Sequence, residues 1–112
     1  MTFDLPMPPS VNNLFINAGR RRVASPEYRA WQQEAGLMLR RQKPKAFEGR
    51  AEVIIDLDEH GRGDADNRCK VVLDVLVRHG VLHDDSKKYV KRVSVGWEPG
   101  ITGCRVTLKE AA

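Results

Sequence analysis

The sequence predicts an α+β domain, α/β-like, in which a small mixed sheet carries two helices in the order β-α-β-α-β-β. Three observations predict it. Two segments place apolar residues at helical spacing, Tyr28-Trp31-Ala35-Met38 and Cys69-Val72-Leu73-Leu76. Between them, Ala51 to Asp58 alternates as a strand does, with Val53, Ile55 and Leu57 on one face and Ile54 and Asp56 on the other. The 112 residues, 41% of them apolar, suffice for one modest core and not for two. Residues 1–112 therefore read as a single domain, with both helices packed on one face of the sheet so that their stripes are buried.

Thr2 to Leu5 reads as a short strand stopped by Pro6, Pro8 and Pro9. Ser10 to Val23 reads as a long loop rich in Asn and Gly that ends in the basic run Arg20-Arg21-Arg22, and loops of this length in compact domains are often functional. Ser25 is placed to cap the first helix and Pro26 fits its first turn. Arg40, Arg41 and Lys43 at its far end suit the negative pole of the helix dipole. After the Ala51–Asp58 strand and the loop His60 to Gly63, a second helix is expected from about Ala65 to His79. Asp64 or Asp66 stands at its start and Gly80 at its stop. Lys87 to Trp97 reads as a strand, Glu98-Pro99-Gly100 as a turn, and Cys104 to Lys109 as the closing strand.

Composition excludes several classes. No apolar run approaches the roughly 20 residues of a membrane helix, and mean hydropathy is −0.47. The N-terminus has an acid and prolines where a signal peptide needs a basic and then an apolar stretch. Cys69 and Cys104 match no zinc or CxxC spacing. A reduced, cytoplasmic protein is expected, with no membrane partner.

Charge is distributed unevenly. Between positions 56 and 85 lie eight acids and four bases, a net of −4, so the rest of a chain of net +4 carries +8. A basic body suits a polyanion, because Lys and Arg displace counterions condensed on phosphates. An acidic island weakens that attraction unless a cation sits in it, and a bound divalent metal resolves the conflict. A solvated acidic loop on a mildly basic protein is the plainer alternative.

The chemistry-bearing pattern is Asp64-x-Asp66-Asn67-x-x-Lys70, followed after the helix by Asp84-Asp85. Asp64 and Asp66 fall at a strand-loop-helix junction, and hard cations such as Mg2+ take one or two carboxylates together with phosphate and water. A helix of about 14 residues spans roughly 20 Å, so Asp84 and Asp85 approach Asp64 only if the chain after Gly80 folds back along it. The same residues also read as an N-cap at Asp64, a turn at Asp84-Asp85, and an i,i+4 ladder of Asp66, Lys70 and Asp74. Look-alikes fail on detail. Asp56-x-Asp58-x-His60-Gly61 opens like a calcium loop but has Asn67 at the twelfth position. The glycines lack a P-loop ending, and the histidines lack zinc spacing. His83, next to Asp84, is a minor candidate for proton transfer, and Trp31 reads as core.

The segment Arg62-Gly63-Asp64-Ala65-Asp66-Asn67-Arg68-Cys69-Lys70, then Leu73-Asp74-Val75-Leu76, then Gly80-Val81-Leu82-His83-Asp84-Asp85-Ser86, resembles the RusA family of Holliday junction resolvases. The opening Leu5-Pro6-Met7-Pro8-Pro9-Ser10-Val11-Asn12-Asn13 and the basic loop before a Ser-capped helix are similar too. The resemblance implies an α/β homodimer that cuts four-way DNA junctions with Mg2+ or Mn2+. It implies that Asp64, Asp66 and Asp85 are catalytic and hold the metal, that Lys70 is the catalytic lysine, and that Asp84 is a less critical neighbour. Two positions depart from the family: Ala65 stands where a larger apolar residue is common, and Gly63 where a base often sits.

On this reading the metal activates a water and stabilises the leaving oxygen. Lys70 faces the scissile phosphate, and Asn67 orients a carboxylate or phosphate. Arg20, Arg21 and Arg22, with Lys87, Lys88, Lys91 and Arg92, are the expected DNA contacts beyond the site. A non-catalytic branched-DNA-binding protein is the alternative, and a metal-dependent hydrolase of small phosphates a weaker one.

Overall fold

Alternation in Ala51–Asp58 produces the central strand. In the computed structural model, which describes residues 1–10, 12 and 14–112, Val53, Ile55 and Leu57 are wholly buried while Ile54, Asp56 and Asp58 are half-buried. Val11 and Asn13, part of the N-terminal stretch that carries the resemblance, lie outside the described residues. The elements are β1 (Thr2–Leu5), β2 (Phe15–Ala18), β3 (Arg21–Ala24), α1 (Pro26–Arg41), β4 (Ala51–Asp58), α2 (Cys69–Arg78), β5 (Val90–Glu98) and β6 (Cys104–Glu110). A single 3-10 turn, Asp66–Arg68, leads into α2. The main sheet has the order β1-β6-β4-β5. β6 runs antiparallel to both β1 and β4, whereas β4 and β5 are parallel. A parallel pair needs a crossover, and α2 supplies it.

One face of this sheet is dry. Phe3, Leu5, Val53, Ile55, Leu57, Val106 and Leu108 form a continuous core with Tyr28, Trp31, Ala35 and Leu39 of α1 and with Val71, Val72, Val75 and Leu76 of α2. Fully burying such a side chain contributes about 1.5–3 kcal/mol. Ser25 caps α1 as expected, its Oγ accepting from the Tyr28 N–H at 3.1 Å. The Trp31 indole donates to the Pro6 carbonyl at 3.0 Å, so Trp31 is core. Gln42, just past α1, exchanges two 2.8 Å hydrogen bonds with the backbone of Asp4 and so occupies the open edge of β1. The two cysteines are free, and burial pushes the Cys104 thiol up to about 12.

Four sequence expectations need correction. The stretch expected to be a loop from Ser10 to Val23 contains a hairpin, β2 paired with β3 through the tight turn Gly19-Arg20, with Gly19 at φ +66°. The buried faces of the helices are rotated relative to the expected stripes. Leu39 rather than Met38 is fully buried in α1, and Val71 and Val75 join Val72 and Leu76 in α2 while Cys69 and Leu73 are half-buried. α2 is shorter than expected, because Asp66–Arg68 adopts the tighter 3-10 geometry. β5 starts at Val90 rather than Lys87, after a turn in which the N–H groups of Tyr89 and Val90 both donate to the Ser86 carbonyl at 2.9 Å.

Candidate active site

The site lies where β4 ends and α2 begins. Carboxyl ends of parallel strands are where open α/β sheets place their ligands. Leaving β4, the chain is turned by Asp58, whose carboxylate accepts from the His60 backbone N–H at 3.0 Å and from its ring Nδ1 at 2.9 Å. The contact holds Asp58 below the usual carboxylate range and His60 above the usual imidazole range. Arg68 fixes the next stretch: its guanidinium donates to the carbonyls of Pro8 and Arg62 and ties the N-terminal segment and the loop to the foot of α2. Among the described residues its buried Nε finds no partner.

Within this frame Asp64 and Asp66 are both exposed. Neither acts as a cap, since Ala65 occupies the cap position of the 3-10 turn and Arg68 that of α2, with no side-chain cap bond at either. The helix-cap reading of Asp64 is therefore excluded. Asn67 is half-buried within the turn.

Lys70 joins the two halves of the motif. Its Nζ donates to Asp85 Oδ2 at 3.0 Å and lies 3.2 Å from Asp74 Oδ1, one helical turn on. Asp85 can be there because Gly80, at φ +74°, ends α2 and reverses the chain. Val81 and Leu82 then bury themselves, and their N–H groups donate to the Leu76 carbonyl at 2.9 and 3.2 Å. The return along the helix that the sequence left open is made. Of the expected ladder only the Lys70–Asp74 rung is present, the second partner of Lys70 being Asp85 and not Asp66. Its hydrogen bond to Asp85, then that to Asp74, raises the Lys70 pKa. The Asp85 N–H, then the Ser86 hydroxyl, lowers that of Asp84.

Among the described residues no three His, Cys, Asp or Glu side chains lie close enough together to enclose a metal ion. Asp64 and Asp66 stand at one end of α2, while Asp85 is engaged by Lys70.

The expected DNA contacts fall on two surfaces. Arg20 sits in the hairpin turn and Arg21 and Arg22 on β3, with the Arg22 guanidinium 4.8 Å from the centre of the exposed Phe15 ring. Lys87 and Lys88 belong to the segment before β5, and Lys91 and Arg92 to β5 itself. The Lys88 ammonium lies 5.3 Å from the centre of the Tyr89 ring, and Lys91 donates to the carbonyl of Ala112. All seven are exposed.

Comparison with known proteins meets this geometry. The family model described as endodeoxyribonuclease RusA matches residues 6–109, from the proline-rich segment to the penultimate residue of β6. The chain belongs to the RusA family. A curated member, the crossover junction endodeoxyribonuclease rusA of Enterobacteria phage HK97, is 31% identical over 76% of this chain and 73% of its own length. Among the described residues no helix of this RusA-family chain is long and apolar enough to cross a membrane. Sequence reasoning missed Arg68 as a positioning residue, since a base inside an acidic motif reads as surface charge. It also missed the Asp58–His60 turn, although the Asp-x-His spacing was visible.

Proposed function

We propose that this chain is a structure-specific endodeoxyribonuclease that resolves four-way DNA junctions by paired, divalent-metal-dependent nicks. The observation that carries the reading is the Lys70–Asp85 contact at 3.0 Å, which brings together two motif halves 15 positions apart in sequence. Family membership and the name of the phage HK97 relative support the substrate.

The donor set suits a hard cation. Asp64, Asp66 and Asp85 offer carboxylate oxygens only, the chemistry Mg2+ or Mn2+ prefers; they do not converge in this structure, and would hold the ion only after Asp85 leaves Lys70 and the three carboxylates are drawn together. When bound, such an ion lowers the pKa of water and neutralises charge on phosphate oxygens. Lys70 is held protonated by its two carboxylates and delivers a positive charge toward the scissile phosphate, where negative charge develops. Arg68 keeps Asp64 and Asp66 in register with the helix. Asn67 orients a carboxylate or phosphate oxygen, and Asp84 supports the turn that presents Asp85.

Paired nicks require two sites at symmetry-related phosphates, and this chain carries one copy of the acidic motif. A two-fold homodimer supplies both. Phe15, Ile16, Leu37 and Val93 leave apolar surface exposed for such an association. Light scattering is expected to give twice 12.7 kDa. With a labelled four-way junction, symmetric nicks are expected only when Mg2+ is added. Binding without cutting would instead favour a non-catalytic branched-DNA-binding protein, and metal-independent cutting would contradict the mechanism.

A further inference from the structure

At the far end of α2 the charge pattern inverts. A cleft of about 550 Å3 lies between α1 and the end of α2, lined by Arg29, Gln32, Gln33 and Arg40 from α1, by Arg78 at the end of α2 and by His79, its C-cap. Its lining holds no acid. The three arginines are exposed, and among the described residues none of them forms an ion pair. Asp74, one turn before Arg78 and its natural partner, is engaged by Lys70 instead.

The cleft is built rather than incidental. Gly36 is a glycine inside a helix, a position where alanine would be the more stabilising residue. A Cβ there would lie 2.7 Å from His79 Nε2, so the missing side chain is what lets the imidazole seat against α1. Burial first, and then the charges of Arg40 and Arg78, hold His79 below its ordinary pKa. Two amide side chains beside three guanidinium groups supply neutral donors as well as charge, the combination that phosphodiester oxygens accept.

We infer that this cleft is a second DNA-contact site, in which Arg29, Arg40 and Arg78 grip the sugar-phosphate backbone of a duplex arm away from the point of cutting. The inference deepens the nuclease reading and rests on it for the nature of the polyanion. α2, ten residues long, sets the spacing: at 1.5 Å per residue the cleft lies roughly 15 Å along the helix from its acidic end. At 1.7 Å of duplex axis per charge, that separation covers several phosphates.

The test is a salt titration without divalent metal. Fluorescence anisotropy of a labelled four-way junction, and of a linear duplex, is followed against KCl for the wild type and for the triple variant Arg29→Gln, Arg40→Gln, Arg78→Gln. Three lost phosphate contacts should flatten the plot of log K against log salt by roughly 2–3 on both DNAs. A control triple of other exposed bases, Lys43→Gln, Lys45→Gln and Lys109→Gln, should flatten it far less, and circular dichroism verifies that both variants fold. An unchanged slope, or equal flattening in the control, overturns the proposal. So does a change in solution mass of the Arg triple, which would assign the cleft to a contact between copies. Because binding is read without cutting, a chain that binds but never nicks would sink the nuclease reading and leave this result standing.

Discussion

The two ends of α2 carry opposite charge and are built in opposite ways. At the N-terminal end, Asp64 and Asp66 are exposed and cap neither helix, and the Lys70 ammonium is held by Asp85 and Asp74. At the C-terminal end, Arg78 and His79 meet Arg29 and Arg40 across a cleft whose lining has no acid. Helix electrostatics alone would favour this sign pattern, acids first and bases last. The dipole accounts for about 0.3–1 kcal/mol per charge, too little to explain why each end collects further like charges from a different part of the chain. The proposed function, attracting phosphates while holding a cation against one of them, would give a reason to segregate the charges in this way.

The comparison breaks most visibly at Asp66. Asp66→Asn should cut a four-way junction several orders of magnitude more slowly while binding it as well as or better than wild type, since an anion facing phosphate has been removed. Gel-based cleavage and anisotropy on the same preparation read both quantities, and a parallel loss of binding would show that the acidic end is structural.

Lys70→Ala should slow cutting by about 10²-fold or more, the size expected for one positioned cation. It should barely alter stability, because ion pairs this exposed contribute about 0.2–1 kcal/mol. The Lys70 pKa is raised in the folded state, so its stabilising contribution is complete below the ordinary lysine value and is lost only as pH rises through the folded value. The difference in Tm between wild type and Lys70→Ala should therefore stay constant through neutral pH and vanish in strong alkali.

Arg68→Ala sharpens the contrast from the structural side. It removes the donors to Pro8 and Arg62, and should destabilise the fold by roughly 1.5–3 kcal/mol in a denaturant titration. Cutting should fall further than that loss of folded protein explains, because the loop bearing Asp64 is no longer held. The smallest effect is expected at the turn before the site. By NMR, His60 should titrate above the ordinary imidazole value, and Asp58→Asn should return it to normal.

Wherever burial imposed a period, the sequence was legible. β4 has the bounds its alternation predicts, and Ser25, Pro26 and Gly80 punctuate the helices as their chemistry requires. The β2–β3 hairpin was hidden because β2 is exposed on both faces, so neither strand shows an apolar-polar alternation. The buried helix faces differ from the expected stripes because further apolar residues flank each one, Leu39 next to Met38 in α1 and Val71 and Val75 next to Val72 and Leu76 in α2, and packing selects among them. The motif residues could be named from their spacing and resemblance. Whether Asp85 reaches Lys70 depends on the reversal at Gly80 and on Val81 and Leu82 burying against the end of α2, a long-range packing result that no local pattern encodes.

Whether the acidic end of α2 is a metal-dependent active centre can be read from a crystal soaked in Mn2+. An anomalous peak bounded by carboxylate oxygens of Asp64, Asp66 and Asp85, with Lys70 turned away from Asp85, is the expected result. A peak elsewhere, or crystals that take up no Mn2+ at these residues while the same protein cuts junctions, would contradict it.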